Sequence, residues 1–226
     1  MVWGILGALD TEIALIKEKM AVHREVKKFG TTFYEGTLGG KDIVLVCCGI
    51  GKVNAAVCAS TVLSEFGADR IVNVGIAGAM KPGLRIMDLV IGNETGFHDQ
   101  DPIMLNYYPN REFFKADPSL VALCEAACRS IGDLQGKFFT GRIMSGDVFV
   151  NSAAVKQQIN DKYAPLCVEM EGASIAHTAY MYGKPFLIIR TMSDSADDNA
   201  DESYDNFIDV AAHQSAAIIL KMLEIG

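Results

Sequence analysis

The run Pro185-Phe186-Leu187-Ile188-Ile189-Arg190-Thr191-Met192 decides the fold. Its apolar residues are consecutive rather than alternating, so a strand built from it must be covered on both faces. It is also far short of the roughly 20 apolar residues that cross a bilayer. Working outward, strand-like runs recur at Val2 to Leu6, Ile43 to Cys48, Arg70 to Val74, Leu89 to Ile91, Lys137 to Met144 and Leu166 to Val168. Thr32 to Leu38 joins the second of these through Gly39-Gly40 and reads as a hairpin. Helical patterns lie between the strands: from Asp10, from Val53 to about Phe66, Leu120 to Ile131, Glu171 to Tyr182, and about Ser203 to Leu223. Strands and helices therefore alternate, as in an α/β sheet with helices on both faces. With no repeat, low-complexity segment or proline-rich linker, residues 1–226 read as one domain. The stretch Gly92 to Phe114 mixes aromatic, acidic and proline residues and reads as a functional loop.

Composition narrows the partners. The formal net charge is -8 and half the residues are hydrophobic. Such a chain can build a large core but lacks the basic face that a nucleic-acid polymer or an anionic membrane demands. A single small nucleoside is not excluded by that average. The six cysteines contain no C-x-x-C pair, so they read as free thiols in a reducing, cytoplasmic setting rather than as a zinc site or disulfide framework. Met1 to Leu6 has no basic leader and is followed by Asp10 and Glu12, so no signal peptide is expected.

In covered sheets, ligands gather beyond the carboxyl ends of the strands. Gly49-Ile50-Gly51-Lys52 lies at one such end but is no P-loop, because Val53 stands where Ser or Thr would hold magnesium. Its glycines, like Gly75 and Gly78, read equally well as permitting tight turns. Glu12 falls in a first helical turn, where the helix dipole alone would favour it. Glu169 and Glu171 flank Met170 at a strand-to-helix junction and need partners, which ligand hydroxyls or solvent would supply. Asp194 follows the most apolar strand, within a Ser193-Asp194-Ser195 string that also suits a helix cap. His177 reads as a packed helix residue, and His98, Asp99 and Asp101 make at best a poor metal set without a second histidine. Carboxylates at three strand ends, with no recognisable nucleophilic triad, suit acid/base cleavage of a glycosidic bond.

Several of these segments together resemble one family. Val168-Glu169-Met170-Glu171-Gly172-Ala173-Ser174-Ile175-Ala176-His177 is similar to the VEMExxxIAH segment of the 5′-methylthioadenosine/S-adenosylhomocysteine nucleosidases. Gly4 to Glu12, Gly49 to Ala56, Asn73 to Gly78, Ser145 to Phe149 and Arg190 to Asp197 follow in that family's order, so the likeness covers nearly the whole chain. The resemblance implies the nucleoside phosphorylase/hydrolase fold, a central mixed β-sheet flanked by helices, in a homodimer that needs no cofactor and serves methionine salvage.

By position, the resemblance also implies roles. Asp194 matches the acid that protonates adenine N7, and Glu12 the base that deprotonates the attacking water. Glu171 matches the carboxylate on the ribose hydroxyls, with Met170 beside the sugar. Phe149 matches the aromatic stacked on the purine, the Val150 backbone reads the adenine edge, and Ser193 orients the acid. Leu9, Ile50 and Tyr204 fall where the ribose and 5′-substituent are lined, and Ala77 and Gly78 are counted with the binding residues. Two departures leave the 5′-substituent open. Pro102-Ile103-Met104-Leu105-Asn106-Tyr107-Tyr108-Pro109-Asn110 replaces a VTAFGY-like stretch in a shortened loop, and Ile76 stands where serine is common. Aminodeoxyfutalosine is thus an alternative substrate. A phosphate-dependent phosphorylase is disfavoured because the first loop holds Asp10 and Glu12 and no arginine, and a non-catalytic nucleoside binder because it would need no water-activating base.

Overall fold

The computed structural model describes residues 1–132, 134, 136–196 and 200–226, the side chains of 200–206 excepted. In chain order the strands are β1 (Val2–Gly7), β2 (Ala21–Lys28), β3 (Thr31–Leu38), β4 (Lys41–Cys47), β5 (Arg70–Ala79), β6 (Leu89–Phe97), β7 (Phe114–Lys115), β8 (Phe138–Ser145), β9 (Cys167–Glu169) and β10 (Phe186–Asp194). The helices are α1 (Asp10–Lys19), α2 (Lys52–Ser64), α3 (Pro118–Ser130), α4 (Ala153–Tyr163), α5 (Gly172–Met181) and α6 (Ala200–Ile225).

All ten strands belong to one mixed sheet, ordered β10-β6-β8-β9-β5-β1-β4-β3-β2 with β7 paired to β6. Strand β10 also pairs with β5, so β5, β10, β6, β8 and β9 close on themselves. The remainder runs out from β5 through the parallel strands β1 and β4 to the antiparallel β3 and β2. Helices α1, α3 and α6 pack together against this sheet, and α2 packs with α5. The continuous apolar runs are therefore buried: Phe186 to Asp194 is buried at every position. Burying a side chain such as Ile188 or Leu187 stabilises by about 1.5–3 kcal/mol, which is why these runs form the centre rather than an edge.

Three strand ends extend beyond the apolar runs. Strand β5 continues through Gly75-Ile76-Ala77-Gly78, β6 runs on to Phe97, and β10 runs on to Asp194. Their small or polar residues carry no hydrophobic signal, but the closed ring of strands keeps their backbones paired. Thus Gly75 and Gly78 are strand residues, not the turn their composition suggested. The edge strand β2 was likewise invisible as a strand, because Ala-Val-His-Arg-Glu-Val-Lys-Lys is mostly exposed and charged. That composition suits an edge, where lysines discourage pairing with other chains. All six cysteines are free, five of them buried and Cys47 half-buried. No helix among the described residues is long and apolar enough to cross a membrane.

Candidate active site

The carboxyl ends of β1, β5, β9 and β10 meet around a cavity of about 480 Å3. Its lining includes Leu9, Glu12, Ile50, Ala77, Gly78, Phe149, Met170, Glu171, Ser193 and Asp194. A smaller recess of about 30 Å3 shares Gly78, Phe149, Met170 and Asp194 and adds Val150. The segments singled out from the sequence, spread over nearly the whole chain, are thereby brought together. The exception is Tyr204, whose side chain lies outside the described residues.

Glu12 shows how local and tertiary demands coincide. As the third residue of α1 its side chain turns back, and Oε2 accepts the N–H groups of Ala8 at 2.6 Å and Leu9 at 3.0 Å. Those amides would otherwise be unsatisfied at a helix start. The other oxygen, Oε1, accepts the Ile76 N–H at 3.1 Å from the upper part of β5. Burial raises its pKa, against the charge of Arg190 and the three amides, which favour the carboxylate. A Cβ on Gly75 would lie 2.5 Å from Glu12 Oε1, so that glycine is required by the close approach of a carboxylate.

Glu169 and Glu171 are separated by the fold despite standing two residues apart. Glu169 Oε2 accepts the N–H groups of Glu171 at 3.1 Å and Gly172 at 2.7 Å, and it pairs with Arg190 Nη2. Its Oε1 accepts the Ser145 hydroxyl. Much of its hydrogen-bonding capacity is thus spent capping α5 and tying β9 to β8 and β10. Glu171 reaches the opposite way: Oε1 accepts the Gly51 N–H at 2.8 Å, and Oε2 stands 3.7 Å from Arg190 Nη2. Burial, then the charge of Glu169, pushes its pKa up to about 8, while Arg190 and the Gly51 amide pull it down. Gly51 itself sits at φ 100°, a conformation that a side chain would strain.

Asp194 ends β10 at a break in the register with β5. Its Oδ2 accepts the Ser193 hydroxyl at 2.9 Å and its Oδ1 the Ala196 N–H at 2.7 Å. Gly78 faces it so closely that a Cβ there would stand 2.7 Å from Oδ1. Phe149 is 38% exposed on the cavity wall, whereas Asp194 is only 2% exposed. A partly exposed aromatic ring and a recessed carboxyl thus border the same space.

Arg190 is the site residue that sequence reasoning passed over. It is 1% exposed within β10 and donates to Glu169, to Asn73 Oδ1 at 2.5 Å and to the Ile189 carbonyl at 3.0 Å. The signal was available: a cation inside the most apolar strand demands buried acids, and Glu169 and Glu171 were the acids lacking partners. His98, Asp99 and Asp101 do not converge. Asp99 pairs with Lys52, Asp101 accepts the Ile103 N–H, and the His98 ring packs on Gly146. His177 stacks on Phe114 with ring centroids 4.7 Å apart. Among the described residues no group of His, Cys, Asp or Glu is arranged to hold a metal ion.

Known proteins place this architecture. The sequence profile of the phosphorylase superfamily matches residues 3–224. A 5′-methylthioadenosine/S-adenosylhomocysteine nucleosidase of Marinomonas sp. (strain MWYL1) is 37% identical, over 98% of this chain and 97% of its own length. The corresponding protein of Aeromonas salmonicida is 38% identical, over 97% of each chain. Among solved structures, the Neisseria meningitidis nucleosidase in complex with methylthio-immucillin-A superposes with a TM-score of 0.94 at 38% identity, covering 99% of this chain and 98% of that one. The futalosine hydrolase of Helicobacter pylori strain 26695 superposes at 0.92 with 30% identity, covering 99% and 97%. With its sheet, its cavity and its full-length likeness in agreement, the chain belongs to the 5′-methylthioadenosine/S-adenosylhomocysteine nucleosidases of the phosphorylase superfamily.

Proposed function

We propose that the protein hydrolyses the N-glycosidic bond of 5′-substituted adenine nucleosides, releasing adenine and the 5′-substituted ribose. The observation that carries this reading is the convergence of Glu12, Glu171 and Asp194 on one cavity whose wall also holds Phe149. Adenine stacks on Phe149, with its edge in the recess beside the Val150 backbone and its N7 toward Asp194. The protonated Asp194 carboxyl donates its proton to N7, and the N9–C1′ bond breaks with its electrons passing to the base. Ser193 fixes the acid's orientation. Water adds to the oxocarbenium-like C1′ and gives up its proton to Glu12, whose raised pKa makes it a stronger base than an exposed glutamate. Glu171 accepts ribose hydroxyls with Met170 beside the ring, and Leu9 and Ile50 border the sugar and its 5′-substituent. Ala77 and Gly78 supply wall without bulk.

Water rather than phosphate is the acceptor in this reading. Among the described residues lining the cavity there is no lysine or arginine, and a phosphate dianion would need one. The 5′ side is methylthio or homocysteinyl, with aminodeoxyfutalosine as a second reading supported by the futalosine hydrolase likeness. A homodimer is part of the same proposal. Ile103, Met104, Leu105, Tyr107 and Tyr108 are exposed on the shortened loop, and a second copy would cover them. The test is a panel of 5′-substituted adenosines, with and without phosphate, followed by release of free adenine. Adenine release in phosphate-free buffer is expected, and strict dependence on added phosphate refutes the hydrolytic reading.

A further inference from the structure

Two sequence motifs end in charged residues that stand outside the cavity lining, and those residues meet. Lys52 ends Gly49-Ile50-Gly51-Lys52, and Asp99 ends Phe97-His98-Asp99. Lys52 Nζ lies 2.7 Å from Asp99 Oδ2, 3.5 Å from Asp147 Oδ2 and 5.6 Å from the Phe97 ring centroid. The backbone closes the circuit: the Lys52 N–H donates to Asp147 Oδ1 at 2.9 Å, and the Asp147 N–H donates to Asp99 Oδ2 at 2.9 Å. The start of α2, the end of β6 and the loop after β8 are thus tied at one point. Packing reinforces the tie, because the His98 ring lies against Gly146 where a Cβ would be only 2.3 Å away.

Each tied segment leads to a substrate-facing group. Gly51, the neighbour of Lys52, holds Glu171 through its N–H. Asp147 is followed by Val148 and Phe149, in a stretch 146–152 that has neither helix nor strand to fix it. We propose that Lys52, Asp99 and Asp147 form a latch that sets the positions of Glu171 and Phe149 together, and so controls nucleoside affinity rather than the chemical step. None of the three lines the cavity, so they are positioning residues. The latch rests on the reading of Phe149 and Glu171 as the purine and ribose contacts.

The test is steady-state hydrolysis of 5′-methylthioadenosine by Lys52→Met, Asp99→Asn, the double variant and Lys52→Arg, with Phe149→Ala and Glu171→Gln as controls. A partly buried, charge-assisted contact predicts a KM increase of about tenfold for each single variant, with kcat within about threefold. The double variant should be no worse than either single one, because both break the same tie. Lys52→Arg should recover most of the affinity. Wild-type KM should rise with salt and that of Lys52→Met should not, since only the former has the ion pair to screen. Unchanged KM in the single variants, losses that multiply in the double, or a fall confined to kcat overturns the latch. If Lys52→Met does not fold, Asp147→Asn against Lys52→Arg gives the same comparison. Controls that themselves leave KM unchanged overturn the nucleoside reading beneath it, whereas raised KM in the controls alone overturns only the latch.

Discussion

Replacing Glu171 with glutamine should stabilise the free protein at high pH while weakening nucleoside binding. In the native protein this carboxyl holds its proton up to a pKa of about 8, against 4.5 for an unperturbed glutamate. Between those values the folded state binds more protons than the unfolded chain, so stability is complete below pH 4.5 and is lost as pH rises toward 8. Linkage gives a contribution from this one group of about 1 kcal/mol at pH 5 and about 4 kcal/mol at pH 8, both destabilising. Glutamine does not titrate, and its carbonyl oxygen can still accept the Gly51 N–H that Glu171 Oε1 now accepts. The stability gap between variant and wild type should therefore widen by about 3 kcal/mol from pH 5 to pH 8. For a domain of this size that is roughly 10 °C in Tm. Thermal unfolding of both proteins across that range measures it directly. A gap that stays constant with pH, or a wild type that remains the more stable at pH 8, refutes the assignment of a costly buried charge to Glu171. Activity should move the other way, with KM for the nucleoside rising about tenfold or more as the charged acceptor is lost.

Gly75→Ala places a methyl group 2.5 Å from Glu12 Oε1, so the base must shift. Displacement of about 1 Å should lower kcat about 100-fold, and single-turnover adenine release would show whether the chemical step is the one slowed. Asp194→Asn removes the transferable proton and should lower kcat by about 10²–10⁴-fold. An unchanged kcat would show that Asp194 is not the acid. Arg190→Met leaves Glu169 buried without its cation and should cost about 3–5 kcal/mol in denaturant unfolding. A loss below about 1 kcal/mol would mean that Glu169 is adequately served by Ser145 and the α5 amides alone.

Legibility in the sequence followed burial. The consecutive apolar runs such as Phe186 to Met192 became interior strands because every position is covered. Residues Ala21 to Lys28 form a strand for the opposite reason, as backbone pairing to β3 needs no apolar side chains at an edge. The upper end of β5 was misread because glycine looks the same in a turn as beneath a carboxylate. Only the fold reveals that Gly75 and Gly78 leave room for Glu12 and Asp194. The candidate acids were visible as residues, but their division of labour came only from the family resemblance and not from the residues themselves. Both Glu169 and Glu171 border the cavity, and only the fold shows that Glu169 is engaged by the α5 amides and Arg190 while Glu171 keeps a single amide. The latch was hidden for a related reason, since Lys52, Asp99 and Asp147 are far apart in the chain and each has an ordinary solvated reading.

The same electrostatics explain why such an arrangement is tolerated. Glu12, Glu169 and Glu171 are all buried, and the charge of buried Arg190 acts on each of them. A single guanidinium cannot neutralise three carboxylates, so at least part of the set must retain protons or rely on backbone N–H groups. Glu169 takes the closest pairing and two amides; Glu12 takes three amides, which offset only part of the rise in pKa that burial imposes; Glu171 is left with one amide and a distant Arg190, and its pKa rises to about 8. The least satisfied acid is thus one whose side chain borders the open cavity, where a ligand hydroxyl can supply the missing donor. A bound ribose should therefore lower the Glu171 pKa and be accompanied by proton release near neutral pH. Calorimetric titration of the Asp194→Asn protein with 5′-methylthioadenosine, in buffers of different ionisation enthalpy, would measure that release. No proton release between pH 7 and pH 8 would mean that the ribose hydroxyls do not engage Glu171.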